Sequence, residues 1–437
     1  MREWFARQLL SHRIARLEAA TRLYSEVTAP EEISARQLER FNTQWQHAWR
    51  NVPFYAKWRR DNGLPERIEN LGALSDFPLL TKKELSEARE LVFQTPGAVR
   101  STLTGGTSGI STAFPMNNAD TEAAWSNTHL GRHWNGIEPG DRLFMIWGHS
   151  HLFSGAGAWR KQAKRRLKDW AVNIIRASAY NLNPQELDAI AKAILKLRPR
   201  YVIGYGSCLL QLCQFLREEG RDLAEARVHR VVNTSETIST LDIPLVAGTF
   251  RCPVINEYGM AEAGVIGYSR DHLYPVSVFW DDFIVRTHRR RLILTTMGAR
   301  CFPLINYDTE DFSDDRTPET GSLLHLNSLL GKARDVFPIV GRDGKQHEVS
   351  VVLFDHILKQ IGRLHSLHYS ISEDGNVKVA YTAEGGALDT AMLQTCFAEG
   401  LAKEGVGIRP ETVSFSRLDA PLQTVAGKRV TLTRENT

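Results

Sequence analysis

The sequence has few cysteines, little net charge and no long apolar run, and each shortage argues against a class of protein. The five cysteines contain no C-x-x-C pair and leave one unpaired in any disulfide scheme, so we expect a reducing, cytoplasmic location. A formal net charge of +4 over 437 residues argues against a general nucleic-acid-binding protein. No apolar run reaches the roughly 18 residues needed to span a bilayer, and arginines interrupt the N-terminal apolar residues, so no signal peptide is expected.

Apolar periodicity predicts the secondary structure of the long first part of the chain. Leu38, Phe41, Trp45 and Trp49 recur at helical spacing, which predicts a helix over 35–50. From about residue 141 buried strands alternate with helices, which is typical of a parallel sheet with helices on its faces. The expected strands cover 141–148, 201–205, 228–233 and 253–257, and the expected helices cover 209–219 and a segment opened by Asn183-Pro184-Gln185-Glu186.

The pattern of apolar and polar residues changes after Gly331. Two apolar alternating segments, 365–372 and 377–382, flank the turn 373–376 and predict a hairpin, and a helix at 387–404 and a strand at 412–416 follow. We therefore predict an α/β protein of two domains. The large domain, 1–330, has mainly parallel sheets flanked by helices and includes the helical segment 35–60; the small α+β domain is 331–437.

Four turn-prone polar motifs carry the functional signal. The first is the glycine–hydroxyl run Thr104, Gly105, Gly106, Thr107, Ser108 and Gly109. Glycines let the backbone approach a phosphate closely and hydroxyls add donors, although such a run alone is often a plain loop. The other three motifs are Tyr258-Gly259-Met260-Ala261-Glu262, Tyr307-Asp308-Thr309-Glu310-Asp311 and Gly427-Lys428.

In this order and spacing the four motifs resemble the adenylate-forming superfamily of acyl-CoA synthetases, peptide-synthetase adenylation domains and luciferases. Further segments are similar to its phenylacetate–CoA ligase and CapK-type branch: 51–55, 152–157, Tyr205-Gly206-Ser207, Thr234-Ser235-Glu236 and 302–307. The resemblance extends from about residue 35 to the C-terminus. It implies that ATP activates a carboxylic acid as an acyl-adenylate and that pyrophosphate is released.

The resemblance also implies roles for individual residues. Tyr258 offers a ring to adenine, Asp311 can accept hydrogen bonds from the ribose hydroxyls, and Glu262 suits Mg²⁺ because hard cations prefer carboxylate oxygens. Each has a plain structural alternative, as a core ring, a turn residue and a helix-start carboxylate. Lys428 matches the lysine that contacts the acyl carboxylate and the ribose–phosphate oxygens, and Arg334 falls at the hinge of a mobile small domain. The remaining ATP- or AMP-binding residues implied are Thr104–Gly109, Ser235, Glu236, Glu257, Gly259, Met260 and Lys332.

The sequence departs from the family pattern at four places. Ile110 stands where the phosphate loop usually has lysine, Ala261 replaces threonine or serine, and Lys332 replaces arginine, which is not equivalent at a forked contact. These changes bear on rate and phosphate affinity more than on reaction type. Ser269 lies near the position of a zinc-ligating cysteine in some relatives, so we expect no structural zinc.

A histidine-containing segment borders the acyl pocket by the same resemblance, with His149, His151, Phe153 and Gly155 as pocket residues. Alternation places His149 and His151 on one face of an extended segment, but no third metal ligand is evident, so a metal site is not expected. The histidines favour a substrate with a polar substituent, and structural histidines explain them equally well.

These observations leave three hypotheses for function. The first is a ligase that passes an acyl group, expected to be aryl or arylacetic, to coenzyme A. The second sends the adenylate to an amine, a sugar or a carrier protein. The third is a non-catalytic nucleotide-binding scaffold, against which Lys428 argues because a scaffold does not need it. The expected partners are ATP, Mg²⁺, a small carboxylic acid and coenzyme A, with an acyl carrier protein as a candidate; a monomer or a homodimer is expected.

One segment, 159–170, is strongly basic. Arg160, Lys161, Lys164, Arg165 and Lys168 lie on a helical pattern beside the apolar line Trp159, Ala163 and Leu167. We favour a solvated helix face. The alternative is a surface that attracts a polyphosphate such as coenzyme A or an acidic carrier protein.

Overall fold

The structure is a computed structural model. It describes residues 6, 8, 10–103, 113–147, 158–179, 182–238, 240, 242–298, 300–331, 336–344, 346–350, 354, 357–358, 364–372, 376–383, 388–403, 407–419, 422 and 432–434. At 12, 103, 158–164, 336–338, 340, 346–350, 365–366, 403 and 432–434 only the backbone is described.

Three helices open the described chain: α1 (Ser11–Glu26), α2 (Pro30–Asn51) and α3 (Pro53–Asp61). The predicted helix over 35–50 is confirmed as α2, which begins earlier because Pro30 occupies its first turn and Glu31 and Glu32 favour the positive end of the helix dipole. The aromatic side chains of Trp45 and Tyr55 are fully buried in the first hydrophobic core.

The next elements surround the predicted phosphate loop. Helices α4 (Lys82–Glu87) and α5 (Arg89–Phe93) precede an antiparallel pair of strands, β1 (Arg100–Leu103) and β2 (Ala113–Met116). Helix α6 (Asn118–His133) follows and begins at a capping box, in which Asn117 and Asp120 each bond the other's backbone N–H. The Thr104–Gly109 run lies between the paired strands, outside the described residues.

The predicted parallel sheet is confirmed. Its strands are β3 (Leu143–Trp147), β4 (Ile174–Ser178), β5 (Tyr201–Tyr205), β6 (Arg230–Thr234) and β7 (Val254–Met260), connected through helices α7 (Ala158–Ala171), α8 (Pro184–Leu197), α9 (Gly206–Glu218) and α10 (Ile243–Phe250). Helix α8 starts as predicted: the Asn183 side chain accepts a hydrogen bond from the Glu186 N–H at 2.9 Å. Two antiparallel strands, β8 (Gly264–Ser269) and β9 (Val276–Val278), then extend the sheet.

A second, antiparallel sheet was not predicted. It consists of β10 (Phe283–His288), β11 (Arg291–Thr296) and β12 (Tyr307–Phe312). The short strand β13 (His325–Leu326) pairs with β9 and completes the large sheet in the order β13-β9-β8-β7-β6-β5-β3-β4. The large sheet separates two cores: Tyr201 and Ile203 of β5 belong to the one that includes α2 and the second sheet, and Val202 belongs to the one that includes α8 and α9.

The C-terminal part has its own sheets and core. Strands β14 (Val336–Val340) and β15 (Gln346–Ser350) pair with each other, and β16 (Leu364–Ile371), β17 (Val377–Ala383), β18 (Val413–Arg417) and β19 (Leu432–Arg434) form a mixed sheet in the order β18-β17-β16-β19. The predicted hairpin is confirmed as β16–β17, and the predicted helix as α11 (Thr390–Lys403). A separate cluster of buried side chains, including Phe354, Tyr369 and Phe397, packs this α+β region. None of the helices in the described residues is both long and apolar enough to cross a bilayer.

Candidate active site

The predicted site residues that the structure describes gather at the carboxyl ends of β6 and β7 and along β12. Thr234 of β6 pairs with Glu257 of the adjacent parallel strand β7. In open α/β sheets this edge, outside the carboxyl ends of the strands, is where ligands bind. The turn that follows β7 carries Glu262, and β12 brings Tyr307 and Asp311 from the second sheet.

Tyr258 and Asp311 meet across the two sheets. The Tyr258 hydroxyl donates a hydrogen bond of 2.9 Å to Asp311 Oδ2. Burial, followed by the negative charge of Asp311, raises the pKa of Tyr258 well above its ordinary value, so its hydroxyl remains a protonated donor. The residues predicted to contact adenine and ribose are therefore neighbours in space, although 53 positions separate them in sequence.

Glu262 and Tyr307 form the second contact between the sheets. The hydroxyl of the fully buried Tyr307 donates to Glu262 Oε1 at 2.8 Å, and the Tyr307 ring packs edge-on against Phe114 of β2 with centroids 6.4 Å apart. Burial, followed by the charge of Glu262, raises the pKa of Tyr307 above its ordinary value. Tyr307 thus joins the predicted metal ligand to a strand that flanks the predicted phosphate loop. The sequence pattern includes Tyr307 in a motif but assigns it no role.

The setting of Glu262 fits a magnesium ligand. Tyr307 fixes one carboxylate oxygen, and within the described ranges no donor bonds the other. Among these same residues no group of three or more His, Cys, Asp or Glu side chains is placed to hold a metal. A single carboxylate suits Mg²⁺ at a nucleotide site, because this ion takes few protein ligands and completes its octahedron with phosphate oxygens and water.

Glu257 has a different environment. Its Oε1 accepts from the Thr234 hydroxyl at 3.1 Å, and its Oε2 accepts from the Tyr268 hydroxyl at 2.8 Å and lies 3.8 Å from Arg132 Nη2. The side chains of Glu257 and Arg132 are each only 10% exposed, and Arg132 also donates to the Tyr201 hydroxyl. Both carboxylate oxygens of Glu257 are therefore bonded within the protein, at a position that we predicted to border adenine.

Glu236 anchors the start of helix α9. Its Oε2 accepts a hydrogen bond of 2.9 Å from the Ser207 N–H in the first helical turn, and its backbone carbonyl accepts from Asn233 Nδ2 at 2.9 Å. Ser235, immediately before it, has a φ of 64° and ends β6 in the left-handed region. The Ser235-Glu236 pair therefore has a structural role at the predicted adenine border.

Packing explains the glycine of the Tyr-Gly motif. A Cβ at Gly259 would lie 2.6 Å from the Gly264 carbonyl oxygen and 2.9 Å from Val265 Cα, both backbone atoms of the neighbouring strand β8. Only glycine lets β7 and β8 approach this closely. Met260, also predicted at the nucleotide site, packs partly buried against the first core.

The start of α4 and the residues just before it anchor the strand that carries Asp311. Leu80 forms an isolated parallel bridge with Tyr307, and Lys82 Nζ lies 2.7 Å from Glu310 Oε2. Glu310 has a φ of 62°, a conformation that is strained for a residue with a side chain. The ion pair and the bridge hold this turn, and nothing in the sequence pattern pointed to Lys82.

The remaining predicted site residues lie outside the described residues and stay predictions. They are Thr104, Gly105, Gly106, Thr107, Ser108, Gly109, Ile110, His149, His151, Phe153, Gly155, Lys332, Arg334 and Lys428. The hydroxyl of Ser269, the expected substitute for a zinc-binding cysteine, is buried and accepts from the Asn256 N–H at 2.7 Å. Cys208 and Cys213 are buried, and burial raises the pKa of each to about 12.

Comparison with known proteins identifies relatives of low sequence identity. No family model matches the chain. Phenylacetate-coenzyme A ligase from Aromatoleum evansii is 21% identical over 338 residues, which cover 72% of this chain and 74% of the relative. Protein CapK from Staphylococcus aureus is 20% identical over 282 residues, covering 63% of this chain and 61% of CapK. The resemblance to the phenylacetate–CoA ligase and CapK-type branch is confirmed.

Solved structures support the fold of this branch. The crystal structure of 2-hydroxyisobutyryl-CoA ligase with R3-HIB-AMP superposes with a TM-score of 0.69 at 16% identity, covering 92% of this chain and 89% of that one. Amide bond synthetase McbA from Marinactinospora thermotolerans has a TM-score of 0.51 at 16% identity, covering 80% of this chain and 77% of that one. The chain therefore has the fold of the adenylate-forming ligases.

Proposed function

We propose that the chain is an adenylate-forming ligase that activates a carboxylic acid with ATP and transfers the acyl group to coenzyme A. The observation that carries the proposal is the pairing of Tyr258 with Asp311 and of Tyr307 with Glu262. In each pair one residue comes from β7 or the turn after it and the other from β12, so the groups that the resemblance assigns to adenine, ribose and metal lie close together. The acid is proposed to be aryl or arylacetic.

The proposed roles follow from the donors and acceptors at this edge. The Tyr258 hydroxyl orients the Asp311 carboxylate, which accepts hydrogen bonds from the ribose hydroxyls. The Tyr307 hydroxyl holds one oxygen of Glu262, and the second oxygen would bind the Mg²⁺ ion. Bound Mg²⁺ would reduce the repulsion between the acid and the triphosphate, both of which are anions.

The first half-reaction joins a substrate carboxylate oxygen to the α-phosphorus of ATP and breaks the bond to pyrophosphate. We propose that the backbone of Thr104–Gly109 holds the leaving phosphates and that Lys428 contacts both anions as they approach. In the second half-reaction the thiol sulfur of coenzyme A attacks the acyl carbon and AMP leaves. We propose that the region from 331 to 437 is a mobile domain that turns about Arg334 between these steps.

The neighbouring structures favour both this reaction and one alternative. A 2-hydroxyisobutyryl-CoA ligase was solved with 2-HIB-AMP and CoA, and supports coenzyme A as the acceptor. The similarity to an amide bond synthetase supports an amine as the second candidate acceptor. A sugar or a carrier protein remains a further alternative.

The test is pyrophosphate release from ATP and Mg²⁺ across aryl, arylacetic, fatty and amino acids, with and without coenzyme A. We expect one acid class to give release and coenzyme A to convert the adenylate to a thioester. Lys428→Ala is the matched control: it should abolish adenylate formation while ATP binding, measured by calorimetry, stays nearly intact. Turnover that requires an amine would select the second acceptor. Absence of pyrophosphate release with every acid would contradict the proposal.

A further inference from the structure

Helix α7 carries two apolar side chains at the surface near its C-terminal end. Leu167 is 67% exposed and Trp170 is 49% exposed, the largest such values for a described leucine and tryptophan. The side of the helix that faces the protein carries a charge instead: Asp169, on a side chain 13% exposed, accepts from Arg176 of β4 at 2.8 Å. Arg166 and Lys168 are exposed, as the favoured solvated face predicts, but Leu167 and Trp170 are exposed as well.

The position of α7 leaves its outer side uncovered by the large sheet. The helix packs on β4, which is the last strand at one end of the sheet order. Strand β4 is only half-buried along most of its length. Helix α7 therefore lies at an edge of the large sheet and presents Leu167 and Trp170 at the surface of the described protein.

Basic residues occupy helical positions on both sides of the line that ends in Leu167 and Trp170. Helical geometry places positions 159, 163, 167 and 170 on one line, positions 160, 164 and 168 in a row along one side of it, and position 166 along the other. Positions 160, 164, 166 and 168 are all arginine or lysine, and Arg166 and Lys168 are exposed. The one acid of the helix, Asp169, is already bonded to Arg176.

We propose that α7 is a docking surface for an anionic lipid membrane. A largely polar surface helix with a narrow apolar line containing tryptophan, flanked by lysine and arginine, suits insertion at the boundary between headgroups and acyl chains. An anionic leaflet supplies both the negative charge and the apolar layer that the two sets of residues require. A second copy of the chain fits less well because its α7 carries the same positive charge.

A soluble polyphosphate explains only half of the surface. It would pair with Arg166 and Lys168 but would not cover the exposed side chain of Leu167. The membrane proposal is independent of the proposed ligase activity, because it depends on α7 alone and its test requires no substrate.

The experiment measures flotation of the full-length protein with vesicles of phosphatidylcholine, alone or with about one third phosphatidylglycerol, at about 0.1 M and 0.5 M NaCl. We expect binding to the anionic vesicles that weakens at the higher salt. The charge variant Arg166→Gln/Lys168→Gln should bind roughly 20- to 30-fold more weakly. The apolar variant Leu167→Gln/Trp170→Gln should bind at least about tenfold more weakly at either salt.

Matched controls separate this surface from charge and hydrophobicity elsewhere. Lys57→Gln/Lys83→Gln removes two lysines whose side chains are 56% and 78% exposed, and Val99→Gln/Met392→Gln removes two apolar side chains that are 66% and 42% exposed. Both controls should bind as the wild type does. Thermal melting of each variant confirms that it is folded, and the charge variant tests the surface if the loss of Trp170 disturbs folding.

Four outcomes would overturn the proposal. The first two are that the wild type does not bind anionic vesicles, and that the α7 variants bind as the wild type does. The third is that only the charge variant weakens binding and that coenzyme A displaces the protein from the vesicles. The fourth is that the apolar variant changes its molecular mass in the absence of lipid. The last would indicate that another protein surface or a second copy covers α7.

Discussion

Glu257 and Glu262 lie five positions apart in the sequence, yet their environments are opposite. Glu257 is nearly buried and accepts hydrogen bonds from Thr234 and Tyr268 with Arg132 beside it. Glu262 is half-buried and has one hydroxyl, that of Tyr307, as its described partner. The comparison indicates that one carboxylate stabilises the fold, while the other keeps an oxygen that no described donor bonds and that we propose as the Mg²⁺ ligand.

Strand register explains the difference. Thr234 and Tyr268 are the direct cross-strand neighbours of Glu257 in β6 and β8. Side chains at paired positions lie about 5 Å apart, so a carboxylate there meets its partners without any additional structure. Glu262 follows the last paired residue of β7 and lies in the turn, where the sheet supplies no such neighbour.

We call the surroundings of Glu257 the closed side of the site and those of Glu262 the open side. The largest expected effect comes from replacing Arg132 on the closed side. Arg132→Met leaves the charge of Glu257 buried without its cation, and the free energy of unfolding should fall by about 3 kcal/mol. Urea denaturation measures the change. The double variant Arg132→Met/Glu257→Gln should recover much of the loss. Arg290→Met, at an exposed ion pair with Asp314, should cost less than about 1 kcal/mol. Equal losses for Arg132→Met and Arg290→Met would contradict a buried structural role.

The open side should respond in activity and not in stability. Glu262→Gln keeps the size of the side chain and removes its charge, so we expect roughly 100-fold slower pyrophosphate release and a Mg²⁺ titration shifted to higher concentration. The free energy of unfolding should stay within about 1 kcal/mol of the wild type. The exposed Glu319→Gln is the control. An unchanged Mg²⁺ titration would point to another ligand.

Two tyrosines allow a matched comparison, because each donates a hydrogen bond of 2.8 Å to one of the two carboxylates. Tyr268→Phe should lower the free energy of unfolding by about 1–2 kcal/mol without changing Mg²⁺ activation. Tyr307→Phe should slow pyrophosphate release about tenfold at low Mg²⁺ and less at saturating Mg²⁺. If both variants change the same quantity, the division between a closed and an open side is wrong.

The smallest expected effect is a pH dependence of the free energy of unfolding that comes from His129, near Arg132 on the closed side. Burial, followed by the charges of Arg132 and Arg13, lowers the pKa of His129 well below its ordinary value. On acidification His129 becomes protonated in the unfolded state but not in the folded state. The stability that is present above about pH 6.5 is therefore lost as the pH falls. We expect the free energy of unfolding to fall by about 1 kcal/mol between pH 6.5 and pH 5.5. His129→Phe should remove this slope in urea denaturation at the two pH values, whereas His133→Gln, beside Glu138 at the surface, should not.

Local patterns predicted the elements that depend on local chemistry. The N-cap at Asn183 and the alternation of strands and helices are set by neighbouring residues, and both are confirmed. The second sheet was missed because β10 and β11 meet at the polar turn His288-Arg289-Arg290-Arg291, which contains no glycine to signal a hairpin. Arg289 and Arg290 both have positive φ there, which residue type alone does not indicate.

Long-range contacts within the site could likewise not be predicted from the sequence. The partners of Glu257 come from residues 132, 234 and 268, and only the register of three strands and the docking of α6 bring them together. The exposure of Leu167 could not be predicted either. An apolar line on a helix indicates that some surface covers it, and the sequence does not say whether that surface belongs to the same chain.

Gly259 has a consequence for the identification of active and inactive relatives. The backbone of β8 excludes any side chain at this position, whether or not a nucleotide ever binds. A relative that has lost catalysis would still keep this glycine, because replacing it would force β7 and β8 apart. Its presence is therefore evidence of the fold, while a change at Glu262, which the sheet does not require, would be the earlier sign of lost activity if Glu262 binds the metal as proposed.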